Sequence, residues 1–591
     1  MNKSFNKIKI ILLFALLILS VSLFVACGDN NDTKPTTTDK YIFTTPKNTG
    51  SNTANTSGTI ATSTPTMTPT PPPTPTPIIS AYPTNGTEPE KHGMKVDITV
   101  DGNWVTNYSR DQKIFFGEAD EYANVNNGIF SFRGNNYRNT SGVFGSQNIS
   151  EAKFNQTPIW TQSVGSLKTT TGEGWWSGCG WTGQPLVQEW PKSTRQIMKM
   201  YDWAKEQEKL TEVIVSAQDG KIHFFEFETG KRTRDPIACN IVFKGGGSLD
   251  PRGIPLMYLG SGDISPNGTY PSAYVVNLVT NEVVFEFGRF DSFAYRSWYG
   301  FDSSPIVDAE TDTLIYAGEN GIIYFIKLGT KYDEAAGTLS INPSVTKFRY
   351  KGNKSSLYKY KYGFEDSPMA FQNYLYIADN GGYLMCIDVN TLKVVWVQDI
   401  KDDTNCTGVL EVENGIPYIY ISTAYLYGYR VSNGTPAPVP VYKINAQTGE
   451  IVWQIDYECR TTDGQSGGAQ GSLALGQDSL DNIVYVPLAK TPNYNEGKLV
   501  AIDTNTGKEI WSFKLTNYTW SSPSLIYDQA TGKGYVIIGD VNGKLFLLDG
   551  LTGKLCDTIQ LNGTIEASPA IYNNTILLGS RNCTVYALEI K

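Results

Sequence analysis

One short pattern returns four times along the chain, at residues 386–396, 443–453, 501–511 and 547–555, and few folds can accommodate it. Each copy is an apolar strand, a tight turn and a second strand. Asp388, Asn445, Asp503 or Asp549 ends the first strand, where a short polar side chain can bond the turn backbone. Gly449, Gly507 and Gly553 follow four residues later, where a hairpin calls for a left-handed backbone; Leu392 replaces glycine in the remaining copy. Trp396, Trp453 and Trp511 come four residues further on, placed to cover the flank of a neighbouring unit.

Upstream of these hairpins a second piece recurs, marked by Ser304-Pro305, Ser367-Pro368, Ser522-Pro523 and Ser568-Pro569, with Gln184-Pro185 as a weaker copy. Proline at a strand start removes no ladder bond. Together the pieces make four strands per unit at a period of about 40 to 60 residues, the arithmetic of an all-β propeller. Innermost strands are expected near Gln184, Gly253, Ser304, Ser367, Thr407, Gly471, Ser522 and Ser568, which gives eight four-stranded antiparallel blades. This pattern, with Phe132-Arg133-Gly134-Asn135 and Arg138 ahead of it, resembles the PQQ-like (quinoprotein alcohol dehydrogenase-like) propeller family over about residues 128–591. The last unit ends one strand early. The missing strand is expected from residues 158–163, whose Pro158-Ile159-Trp160-Thr161 resembles Glu509-Ile510-Trp511-Ser512. One helix is expected at 193–210, inside the first blade, started by a Ser193/Gln196 capping box.

Ahead of the repeats the chain changes character. Lys3, Lys7 and Lys9 precede an apolar run that ends at Ala26, the form of a signal peptide. Residues 23–27 resemble a bacterial lipobox, which implies a lipoprotein with acyl chains such as palmitate on Cys27 and a membrane as its partner. A Thr/Pro-rich stretch follows, with too few apolar residues to order itself. The expected organisation is a signal peptide at 1–26, a disordered stalk at 27–94, a lead-in segment at 95–155 and the propeller at 156–591. The expected location is the outer face of the cell membrane.

A net charge of −9 without a basic face excludes nucleic acid as a partner. Two histidines, His92 and His223, leave little for His-based metal or triad chemistry. None of the eight cysteines forms a CxxC pair. Strand counting places Cys179 with Cys239, and Cys406 with Cys459, on common faces as candidate disulfides of an exported chain.

The loops that feed the innermost strands gather around the axis of a propeller, and here they are aromatic and acidic. Trp175, Trp176 and Trp181 precede the first blade; Trp298 and Asp302 precede the third; Phe364 and Asp366 precede the fourth; Trp520 precedes the seventh. Rings stack on sugar or peptide, and carboxylates accept their hydrogen bonds. The alternative is that the rings plug the channel. The expected function is a non-enzymatic scaffold that binds protein or cell-wall polysaccharide at the cell surface. The family resemblance implies two others: a quinoprotein dehydrogenase holding PQQ and calcium in its channel, and the propeller lipoprotein of outer-membrane β-barrel assembly. Neither the adjacent cysteines nor a clear calcium set of such dehydrogenases is present.

Overall fold

The computed structural model describes residues 77–122, 127–180, 183–357, 361–426, 436–462 and 464–591. The signal sequence, Cys27, most of the stalk and Trp181 lie outside the described residues.

Eight antiparallel blades follow one another in chain order around a ring. Blade 4 shows the plan, running outward from Met369–Phe371 through Tyr374–Ala378 and Tyr383–Asp388 to Lys393–Asp399. Blade 2 starts at Ser248–Leu249, and Gly253 sits in the following turn at a φ of +76°, which corrects the expected start. Its inner strand is only two residues long and left no alternation to read.

Each of the eight hydrophobic clusters lies between two adjacent blades. The recurring tryptophan and glycine belong to these contacts. Trp396 packs on Gly449 of the next blade, Trp453 on Gly507 and Trp511 on Gly553, so closely that an added Cβ would come within 2.7, 2.8 and 2.5 Å of the ring. The indole N–H donates to the carbonyl three residues before the glycine, at 3.0 Å to Ala446, 2.7 Å to Thr504 and 3.0 Å to Gly550. Trp160 repeats the arrangement on Gly230 and Phe227 of the first blade.

Trp160 reaches that position because Trp160–Ser163 is the outermost strand of the last blade. It pairs antiparallel with Thr584–Glu589, with Trp160 opposite Ala587 and Ser163 opposite Thr584. The ring is therefore closed by a strand from its own N-terminal side, which pairs the outer edge of Thr584–Glu589.

The lead-in segment threads the central channel. Gly128–Ile129 pairs with the inner strand of blade 1, and Val143–Phe144 runs parallel to that of blade 8. Between them the segment bonds to the remaining blades in turn. Leu249 donates to the Phe130 carbonyl at 2.7 Å, Ala370 to that of Asn136 at 2.9 Å and Leu410 to that of Tyr137 at 2.9 Å. Arg138 donates to the Ser304 carbonyl at 3.0 Å and the Pro368 carbonyl at 3.0 Å. Arg133 donates to Leu473 at 2.9 Å and Pro523 at 2.8 Å. Both guanidiniums are fully buried. Burial pushes the pKa of Arg133 down to about 9 and that of Arg138 to about 10. Arg133, Arg138 and Ser141 hold φ values of +56°, +60° and +57°, a strained backbone kept in place by these bonds. The plug is thus a polar backbone segment rather than the aromatic rings of the alternative reading.

A belt of hydroxyls lies beside the plug and explains the recurring serine before proline. The Ser304 N–H donates to the Ser367 hydroxyl at 2.9 Å, and Ser367 donates to Thr407 at 3.1 Å. Thr407 donates to Ser472 at 2.9 Å, Ser472 to Ser522 at 2.9 Å and Ser522 to Ser568 at 3.3 Å. Each hydroxyl takes up a backbone N–H that no strand can pair.

Three expectations are corrected. The stalk ends earlier than its composition implies. Residues 79–94 run along blades 4 and 5, where Ile79 donates to Gln372 at 2.9 Å and the Thr87 hydroxyl donates to the Thr448 carbonyl at 2.9 Å. Residues 95–105 then add two strands, Lys95–Val100 and Asn103–Val105, to the outer edge of blade 3.

The single helix is two short ones, α1 at Lys192–Ile197 and α2 at Asp202–Glu206, with Pro191 as the first N-cap and no capping box. The break buries both Met198 and Met200. Buried Arg195 donates to the α2-end carbonyls of Ala204 at 2.8 Å and Gln207 at 2.9 Å.

Neither expected disulfide forms. The Cys406 thiol donates to the Ser422 carbonyl at 3.0 Å, and the Cys459 sulfur lies 2.9 Å from the Thr491 hydroxyl. Cys179 and Cys239 pack in different clusters. Cys406 and Cys459 share a cluster but flank the inner and outer strands of blade 5, three ladder spacings or roughly 14 Å apart, against the ~7 Å a disulfide tolerates.

Candidate functional site

Charged and polar side chains of the inner loops gather into a cluster, termed the funnel. Two sets of loops line it: those feeding the inner strands, and the turns between the second and third strands of each blade. The second set was missed from sequence. Its signal was register, because Gln218, Glu319, Asn380 and Arg581 occupy the same repeat position.

Asp302 lies 3.9 Å from the Lys244 ammonium, and Glu319 lies 3.5 Å from Arg296. The Asn380 amide donates to Glu365 at 2.8 Å. Burial lifts Asp302 to about 7; Lys244 opposes this, while Glu365 adds to it. Burial and then Glu365 push both Glu319 and Asp403 well above the usual carboxylate range. Carboxylates from blades 3, 4 and 5 therefore converge around Glu365.

The aromatic candidates divide. Trp176 stands between two cations, 4.8 Å from Lys244 and 5.7 Å from Arg581. Arg581 in turn pairs with Glu566 at 3.1 Å. Trp175 lies further out, 5.4 Å from Lys168. Trp298 borders Glu319, since both would meet a Cβ on Gly300. Trp520 is buried against Tyr518, its ring 6.1 Å away.

Two candidates are not on the face. Phe364 is fully buried with its ring 5.8 Å from that of Tyr350, and Asp366 is fully buried, accepting the Ala378 N–H at 2.9 Å. Burial raises Asp366 to about 8. Both sit one or two residues too near the strand, where side chains turn into the blade contact.

Several buried polar atoms without a hydrogen-bond partner lie on these loops and inner-strand starts. They include Gln184 Nε2, both amide atoms of Gln218, Asp302 Oδ1, Asn380 Oδ1 and Asp403 Oδ1.

Asp302 also sets a pH dependence. Its folded pKa of about 7 stands above its ordinary 3.8, so its stabilising share is complete below about pH 4 and is lost as pH rises through 7. The melting temperature is expected to fall between pH 5 and pH 8.5, and Asp302→Asn to flatten that fall. An unchanged slope in the variant would remove Asp302 as its source.

A family model described as outer membrane protein assembly factor BamB matches residues 353–517 and 495–591. The beta-alanine-activating enzyme of Danio rerio is 29% identical over 97 residues, 16% of this chain and 8% of that protein. Outer membrane protein assembly factor BamB of Kangiella koreensis is 22% identical over 216 residues, 35% of this chain and 46% of that protein. The chain thus spans less than half the length of either relative. Among solved structures, quinohemoprotein alcohol dehydrogenase from Comamonas testosteroni is 14% identical with a TM-score of 0.48, covering 78% of this chain and 80% of that one.

Proposed function

Because this chain is a PQQ-like β-propeller protein, we propose that it works as a lipid-anchored binding scaffold of the cell envelope, with the polar funnel as its binding face and a cell-wall polysaccharide as its ligand. The gathering of Lys244, Asp302, Arg296, Glu319, Glu365 and Asn380 on the feeder loops and hairpin turns carries this reading. The plug leaves a ligand one way in. Half-buried Trp176, flanked by Lys244 and Arg581, and half-buried Trp298 bring aromatic surface to the site, and the carboxylates bring acceptors. The lipobox-like Cys27 and the Thr/Pro stretch before residue 77 support a tethered, extracytoplasmic location.

The test is retention of purified wall polysaccharide on the immobilised protein. Trp176→Ala with Trp298→Ala is expected to keep the wild-type near-ultraviolet circular dichroism and weaken retention at least about tenfold, since each stacked ring contributes roughly 0.5–1.5 kcal/mol beyond its buried area. Full retention by the double variant would move the binding face elsewhere.

A second reading, a protein partner in outer-membrane assembly, draws on the family model that matches 353–591. It predicts capture of a purified β-barrel assembly component instead of polysaccharide. A PQQ and calcium site suits the funnel poorly. A tricarboxylate quinone would enter beside Asp302, Glu319 and Asp403, which burial and the charge of Glu365 already push up. Among the described residues, no three acidic, His or Cys side chains converge to share a metal ion.

A further inference from the structure

We propose that a cavity of blade 3, separate from the funnel, is a second ligand site, for a sugar acid whose carboxylate lies on Arg110. The cavity holds about 440 Å³, within the range of small-molecule sites. It lies at the far end of the blade from Asp302 and Glu319, beside the turn between Ile306–Asp308 and Thr313–Ala317. Register builds its floor. Thr313, Lys327 and Ser344 stand opposite one another on neighbouring strands, and Phe325 and Thr346 do so in the next row. Opposed residues, and residues two apart on one strand, share a face, so both rows line the cavity from the same side. The roof is the segment after Asn103–Val105. The Arg110 N–H donates to the Asn390 carbonyl of blade 4 at 2.8 Å, and the Gln112 amide donates to the Glu310 carbonyl of blade 3 at 3.2 Å, which fixes the roof at both blades.

Arg110 is the group that calls for a ligand. Its guanidinium lies 5.8 Å from the ring centres of both Tyr108 and Phe325, and all three residues line the cavity. Its Nε makes only a long bond, 3.4 Å to the Val389 carbonyl, and its buried Nη2 has no partner. Among the described residues no carboxylate pairs with it, whereas Arg234 and Arg252 meet carboxylates at 2.5 and 2.6 Å. The buried carboxylate of Asp308 is taken up by the Thr311 N–H at 2.9 Å and is not part of the cavity wall. At the rim, exposed Lys327 and exposed Asp111 offset each other in charge. A half-buried cation is left without a counter-ion, and burial pushes its pKa down.

The class of ligand follows from what surrounds that charge. A lone guanidinium matches a single negative charge, and its planar fork suits a carboxylate. A phosphate would bring a second charge towards Asp111 and Asp308. The walls beside Arg110 are mixed. Tyr108 and Phe325 supply ring surface, while Thr346 and Asn107 supply a hydroxyl and an amide. Rings with neighbouring hydroxyl and amide groups suit the body of a sugar better than an aliphatic chain.

Saturation-transfer nuclear magnetic resonance on the full chain with glucuronate, glucose, glucose 6-phosphate and N-acetylphenylalanine tests this. Expected is binding of glucuronate, at least about tenfold weaker binding of glucose, which lacks the charged hydrogen bond, and weaker binding of the other two. Arg110→Gln is expected to weaken glucuronate binding at least about tenfold, and Thr346→Val, which keeps the side-chain shape and every charge, at least about threefold. Near-ultraviolet circular dichroism checks the fold of each, and Thr346→Val carries the test if Arg110→Gln does not fold. The Trp176/Trp298 variant of the funnel is expected to bind glucuronate as the wild type does. Equal binding of glucose and glucuronate overturns the carboxylate on Arg110. Tighter binding of glucose 6-phosphate overturns the single charge, and tighter binding of N-acetylphenylalanine overturns the sugar. No binding of glucuronate by the wild type, or undiminished binding by the folded cavity variants, overturns the site.

Discussion

Deleting residues 157–164 is expected to leave no folded propeller. Trp160–Ser163 supplies the outermost strand of the last blade, and Ile159 adds a 2.8 Å bond to the Ala587 carbonyl. Trp160 is also the Trp partner of Gly230, so the deletion opens the contact between blades 8 and 1. That contact is one of eight separate cores, and no central core stands behind it. The milder Trp160→Ala isolates the ring and is expected to cost about 3–5 kcal/mol, the range for removing a large buried side chain. Calorimetry reads both outcomes: no cooperative transition for the deletion, and a lowered one for the substitution. A deletion variant that melts at the wild-type temperature would refute closure by this strand.

The second large effect is expected at Arg138. Its guanidinium donates to the carbonyls of Ser304, Pro368 and Phe132 and to the Ser131 hydroxyl, tying the plug to blades 3 and 4. Arg138→Met removes the charge but leaves these buried acceptors unpaired, at about 1–3 kcal/mol each. Their number is offset by the cost of burying the guanidinium, so a net loss of about 3–5 kcal/mol is expected in urea unfolding. Arg138→Lys is expected to rescue little, because an ammonium cannot span the fork between blades. A loss below about 1 kcal/mol in Arg138→Met would mean the plug is held by its backbone bonds alone.

Much of the ring was legible because its residues repeat. Trp396, Trp453 and Trp511 recur with their glycines since every blade meets the next in the same way, and one contact seen in sequence predicts the others. The plug is used once, so Arg133 and Arg138 had no second copy to reveal their role. The serine before each proline was read as a strand start, whereas its hydroxyl serves the neighbouring blade's backbone. The funnel was half legible for a similar reason. Asp302 and Trp298 lie on long feeder loops that draw notice, whereas Glu319 and Asn380 sit in ordinary hairpin turns and become visible only when the blades are overlaid. Phe364 and Asp366 were misplaced because sequence cannot say where a loop turns inward.

Closure by a strand from the N-terminal side has a consequence in time. A ribosome makes residues 128–163 before any complete blade, yet their partners include Ala570–Tyr572 and Thr584–Glu589 of the eighth blade. Plug and closing strand must wait through the synthesis of almost the whole ring. Individual blades can form as they emerge, but the circle has no registered state until the eighth blade arrives, and such distant pairings form slowly. Until then the protein is an open arc with an unpaired edge at one end and an idle strand at the other.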